Sequence, residues 1–187
     1  MIGSRGVPQS IEALMREHRV IERVLGVLER YAARLEEGEL LPRRDLGAIV
    51  HVLRDYADGH HHAKEERVLF PAMVAAGLSG DDGPLAFMLE QHEEGRRLVG
   101  DLAELAREEA WSEADRARTA RVARDYVFML RAHIRDEDDV VYPLAQSRVR
   151  PAAWDDVERA TADLEASSAV AARALVALAE ELAARYP

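Results

Sequence analysis

Two stretches decide the fold: His61-His62-Ala63-Lys64-Glu65-Glu66-Arg67-Val68-Leu69-Phe70-Pro71 and, further along, His133-Ile134-Arg135-Asp136-Glu137-Asp138-Asp139-Val140-Val141-Tyr142-Pro143. In both, Glu stands four residues after His, an aromatic nine after and Pro ten after. The segments before them match as well. Leu14-Met15-Arg16-Glu17-His18 pairs with Met88-Leu89-Glu90-Gln91-His92, and Gly26-Val27-Leu28 and Gly100-Asp101-Leu102 start eight residues after the histidine. Such self-similarity marks a repeated structural unit. The chain therefore reads as two copies of one hairpin, each with a lone His and a His-x-x-x-Glu.

Working outward, the 3.6-residue period and the breakers predict a helix from about Ser10, a capping residue, to Glu37, with Gly38 past its end. A second runs from about Pro42 to Ala76 and is closed by the loop Gly77 to Pro84. A third spans Pro84 to Glu109. The fourth opens at Ser112, three residues before Asp115 in a near capping box, and continues to about Gln146. Connections this short force antiparallel neighbours, so residues 1–150 are expected to form an all-α, up-and-down antiparallel four-helix bundle. Residues 151–187 add a C-terminal helix, Trp154 to about Arg185, with a narrow seam at Leu164, Ser168, Ala171, Leu175, Leu178 and Leu182. That seam fits either the outside of the same bundle or a homodimer contact.

The composition excludes several chemistries. The 187 residues include 35 acidic and 25 basic side chains, seven His and no Cys, for a formal charge of −10. Without cysteine there is no disulfide framework, thiolate zinc site or iron–sulfur cluster. The acidic balance opposes a nucleic-acid partner, whose phosphates need a basic face. Met1 to Ser10 lacks the apolar core of a secretory signal, and no run approaches a membrane span, so a soluble cytoplasmic protein is expected. The basic residues are all Arg except Lys64, a usage that, with abundant Ala, suggests a GC-rich bacterial gene.

A spacing of four turns an α-helix through roughly 400°, which places imidazole and carboxylate on one face, one turn apart. One such pair is weak evidence for a ligand set. Two pairs facing across a bundle, with a His from each remaining helix, bring together His18, His61, Glu65, His92, His133 and Glu137. Six such groups exceed the four that satisfy a structural zinc and suit two ions. Imidazole and carboxylate without thiolate suit iron, with manganese and zinc left open by ligand type. Pro71 and Pro143 each deprive a carbonyl four residues earlier of its donor, so the helix should bend or end beyond this layer. Gly26 and Gly100 would permit close helix contact. Of the other histidines, His51 and His60 are expected in solvent or at helix interfaces. His62 lies beside the site as a ligand, an outer donor or a boundary residue. Lys64 is expected in a salt bridge or in solvent, and Glu66 and Asp138 are placed to accept a hydrogen bond from a ligating imidazole.

On these residues, Glu17-His18, His61 to Glu66 with Leu69-Phe70-Pro71, Gln91 to Arg96, and His133 to Glu137 with Tyr142-Pro143, the chain resembles the hemerythrin-like (HHE cation-binding) family, in its bacterial branch with two His-x-x-x-Glu motifs. The resemblance implies a di-iron centre in a four-helix bundle, two Fe ions bridged by both Glu and an oxo or hydroxo group. One departure is informative. Oxygen-carrying members have a second His one turn after the third helix's lone His, where this chain has Arg96. They also place the last carboxylate five residues after its His, the position of Asp138; the internal repeat favours Glu137. The resemblance thus implies a protein that binds or senses oxygen, nitric oxide or peroxide. The alternatives are a di-iron enzyme of the catalase, peroxidase or nitric-oxide-handling kind, or iron storage and iron-status sensing. A ferritin-like site is disfavoured because no Glu lies three residues before a His, and a zincin because His92-Glu93-Glu94-Gly95 ends in Arg96.

Overall fold

The computed structural model describes residues 6–108 and 110–187. Met1 to Arg5 and Glu109, the predicted last residue of the third helix, lie outside them. Five helices follow in order: α1 (Gln9–Glu36), α2 (43–75), α3 (Gly83–Arg107), α4 (113–148) and α5 (Pro151–Arg185). No strand occurs among the described residues. The turns use the residues that their backbone requires. Gly38, Gly77 and Gly83 all have positive φ, which a Cβ would strain. Ser112 accepts from the Asp115 N–H while the Asp115 carboxylate accepts from the Ser112 N–H, a complete capping box. Ser10 is not a cap. Pro8 stands at the N-cap of α1, and Ser10 instead donates from its N–H and hydroxyl to Glu158 of α5.

The apolar core is in two parts with a polar layer between them. Toward one end Ile11, Leu14, Leu69, Phe70, Leu85, Met88 and Tyr142 pack together. Toward the other, Ile21, Leu25, Leu53, Leu98, Leu102, Val127 and Leu130 form the larger cluster. Every helix of the bundle passes from one cluster to the other, and between them stand its buried His and Glu side chains. Rigid apolar packing on both sides fixes the height of each helix and so the level of those side chains.

α2 and α4 do not keep the α-helical period assumed from sequence. Leu53–His62, Glu65–Leu69 and Glu137–Val141 are π-helical, and the Phe70 and Tyr142 N–H groups reach back five residues to the carbonyls of Glu65 and Glu137. The expected end or bend at the prolines is therefore a widened turn just before each of them. Pro71 and Pro143 then sit in the first turn of a resumed α-helix, where a missing N–H does least harm. Gly26 and Gly100 are not at close helix contacts either. A Cβ on Gly100 would meet nothing within 4 Å, and one on Gly26 only Arg30 of its own helix. The glycine under a neighbouring helix is Gly95, whose Cβ would stand 3.4 Å from the Met129 side chain.

α5 packs on α1 and α2 and shares the larger core cluster through Leu175, Ala179, Leu182 and Tyr186. Its seam departs from the expected one at Ala171, which is exposed while Ala172 faces the core, and at Ala179, which is fully buried beside the partly buried Leu178. The Tyr186 hydroxyl donates to buried Asp45 at 2.7 Å, fixing the end of α5 to the start of α2.

Candidate metal centre

Each bundle helix brings its histidine to the polar layer, and the four imidazoles share one orientation. Their Nδ1 atoms face outward to an oxygen acceptor: His18 to Asp138 at 2.8 Å, His61 to Glu17 at 3.0 Å, His92 to Glu66 at 2.7 Å and His133 to the Gln91 side-chain oxygen at 2.9 Å. An Nδ1–H held in this way leaves Nε2 with a lone pair. These Nε2 atoms point inward, His18 and His61 3.1 Å apart and His92 and His133 3.2 Å apart. Two lone pairs at that distance repel unless a cation or proton lies between them. The separation is also what two imidazoles adopt around one ion at bonds of roughly 2.1 Å.

The carboxylates fall between the two imidazole pairs. Glu137 lies with Oε2 3.1 Å from His18 Nε2 and Oε1 3.0 Å from His133 Nε2. Glu65 Oε2 lies 3.7 Å from His61 Nε2 and 3.6 Å from His92 Nε2. Two groups of metal-compatible atoms result, His18, His61 and Glu137 in one and His62, Glu65, His92 and His133 in the other, each within 4.8 Å. All six residues singled out by the repeat are fully or almost fully buried here, and His62 joins the second group.

Fit to cations is tested by what these atoms lack. Among the described residues only Glu65 Oε2 and Glu137 Oε1 are buried side-chain atoms without a hydrogen-bond partner. Glu137 Oε1 is 3.0 Å from His133 Nε2, a contact that is a hydrogen bond only when that nitrogen carries a proton as well as the Nδ1 that faces Gln91. Buried unpaired carboxylate oxygens are costly, and a cation between them and the Nε2 atoms relieves both deficits. The donor set fits.

In the metal-free chain, protons take part of that role. Burial would lower the His18 pKa, yet Asp138 and Glu137 outweigh it and push it up to about 9. Burial and the Glu137 charge raise Glu65 well above the usual carboxylate range. Glu137 goes the other way: burial opposes its charge, but His133, His18 and His92 hold it low. Burial pushes His61 down to about 4, so its ring is neutral at pH 7.

The remaining histidines divide as their positions suggest. His51 is exposed and pairs with Asp55, and His60 lies at the interface with α5. Buried His62 stacks on His92 with ring centroids 3.8 Å apart and leans on Asp58. Lys64 is in a salt bridge and buried, not solvated. Three participants were not assigned a role from sequence. Glu17 and Gln91 each precede the lone His by one residue and serve the histidine of the next helix; the repeat of that position was the available signal. The Tyr142 hydroxyl, at the repeated aromatic position, donates to Glu65 Oε1 at 2.7 Å.

A cavity of about 260 Å³ borders the second group only, lined by Leu53, Asp58, His62, His92, Arg96 and Tyr126 among others. Arg96 stands at its edge with Nε 2.9 Å from Asp58 Oδ1, and it also bonds Glu66, the acceptor of His92. Its charge is thus spent on carboxylates, and the cavity presents mainly apolar wall to a neutral occupant.

A polar layer of this composition between two apolar clusters defines a helical-bundle cation-binding protein. The chain belongs to the hemerythrin HHE cation-binding domain family, whose model matches residues 9–145. It is also 30% identical over 133 residues to uncharacterized proteins of Mycobacterium bovis and Mycobacterium tuberculosis, a match covering 71% of this chain and 51% of theirs. The chain spans about half the length of these curated relatives. No helix among the described residues is long and apolar enough to cross a membrane.

Proposed function

We propose that the chain holds two iron ions and binds or senses a small neutral ligand, oxygen, nitric oxide or peroxide, beside them. His18 and His61 would hold one ion and His92 and His133 the other, with Glu65 and Glu137 facing both. The observation that carries this reading is the pair of partnerless buried oxygens, Glu65 Oε2 and Glu137 Oε1, set between four inward Nε2 atoms. Imidazole with carboxylate is a donor set that iron accepts readily. When bound, such ions supply open positions at which a small ligand is polarised or exchanges electrons. The protein's own part is orientation and access: Asp138, Glu17, Glu66 and Gln91 fix the ring tautomers, and the cavity admits the ligand at the His62 and His92 side.

The test is elemental analysis of protein purified with iron supplied, then absorption spectra before and after nitric oxide and peroxide. Close to two irons per chain and a stable ligand-dependent spectrum are expected. Sustained oxygen evolution from peroxide would replace a binder with an enzyme, manganese or zinc in place of iron would correct the metal, and metal near zero would sink the site.

A further inference from the structure

The repeat is broken at one cluster of side chains, and α5 covers that cluster. Lys64, buried with 1% exposure, donates to Glu17 Oε1 and, at 3.3 Å, to Glu165 Oε1 of α5. Glu17 is also buried, and its other oxygen accepts the Nδ1–H of His61 at 3.0 Å. His60 spans the same carboxylate and α5, with Nε2 3.0 Å from Glu17 Oε1 and Nδ1 2.8 Å from Ser168 Oγ. In the second hairpin the equivalents of Glu17, His60 and Lys64 are Gln91, Ala132 and Asp136. His133 is therefore oriented by a neutral amide, whereas His61 is oriented by a carboxylate whose charge needs a buried ammonium. That ammonium is in turn paired from α5, which lies outside the family match at residues 9–145.

Glu17 is held as an acceptor from three sides, by His60 Nε2 at 3.0 Å, His61 Nδ1 at 3.0 Å and the Lys64 ammonium. A carboxylate fixed as the acceptor of a ligand imidazole sets its ring orientation and increases its donor strength, and losing such a partner typically weakens metal binding by about 10- to 100-fold. A buried ammonium stays in place only where its partners are complete.

We propose that Glu165, Lys64 and Glu17 are positioning residues through which the C-terminal helix holds His61, so that the His18 and His61 position depends on α5 and the His92 and His133 position does not. This rests on the two-ion reading above. The experiment is anaerobic calorimetric titration of the full chain with Fe(II), comparing wild type, Lys64→Met, the double variant Glu165→Gln with Ser168→Ala, and Gln91→Ala. Melting temperatures of the metal-free proteins are measured alongside. The expected result is about 10-fold or more weakening of one of two binding steps in the first two variants, with the other step unchanged. Gln91→Ala should weaken the opposite step. Equal weakening of both steps in parallel with lost thermal stability would overturn the proposal as mere structural support, as would variants that titrate like wild type. Should Lys64→Met fail to fold, the double variant, altered at partly exposed positions, decides. A wild type that takes up no Fe(II) overturns the two-ion reading and this one with it, whereas two steps in wild type and no selective change overturn this one alone.

Discussion

Tyr142 donates its hydroxyl to Glu65 Oε1 at 2.7 Å, across the layer from one repeat's aromatic to the other repeat's carboxylate. Phe70, at the equivalent position of the first hairpin, has no such group, so Glu65 gains a fixed donor that Glu137 lacks. Tyr142→Phe removes it and leaves a fully buried carboxyl oxygen unpaired, which costs about 1–3 kcal/mol. Urea unfolding of the metal-free variant should show that loss at an unchanged slope; equal midpoints would show that Glu65 finds its partner elsewhere.

Glu137 faces both imidazole pairs, whereas His61 belongs to one. Glu137→Gln should therefore lower iron at both positions, and His61→Ala mainly at one. Elemental analysis should give near zero for the first and near one per chain for the second. Full loading of either variant would contradict the assignment.

The metal-free chain should respond to pH through His18. Its pKa is raised from 6.5 to about 9 in the folded state, so the stability it contributes is complete below pH 6.5 and disappears as pH rises through 9. In the loaded protein Nε2 is occupied and this dependence should vanish. Melting temperatures from pH 6 to 9.5, with and without iron, check this; parallel curves would rule it out.

Gly100 borders the cavity with open space at its Cβ position. Gly100→Leu should narrow the cavity without strain, leave iron content unchanged and raise helix stability by up to about 1 kcal/mol. Stopped-flow mixing of the reduced, iron-loaded protein with nitric oxide should show slower association. An unchanged rate would place the ligand's route elsewhere.

Much of this centre is readable along the chain because a repeat preserves chemistry at fixed offsets. His18, His61, His92 and His133 stood out through duplication, and the two Glu with them. Glu66 and Asp138, one residue beyond each Glu, also serve where expected, but each acts on a histidine of the other hairpin. What stayed hidden depends on angles between helices. Glu17 and Gln91 serve histidines one helix further on, and no period within α1 or α3 reports that. The π-helical turns were hidden as well, because a His and a Glu four apart look the same in sequence whether the carbonyls reach back four residues or five. Ala171 and Ala172 differ by one position in α5, within the error of any seam read from small residues alone.

Lys64 is the chain's single lysine, and it lies sealed between α1, α2 and α5. An amine-directed reagent therefore finds no lysine to modify on the native surface. Acylation of that one side chain becomes a clock for the opening of α5 from the bundle, read by peptide mass spectrometry as a group added at Lys64 and kept apart from any on the α-amine.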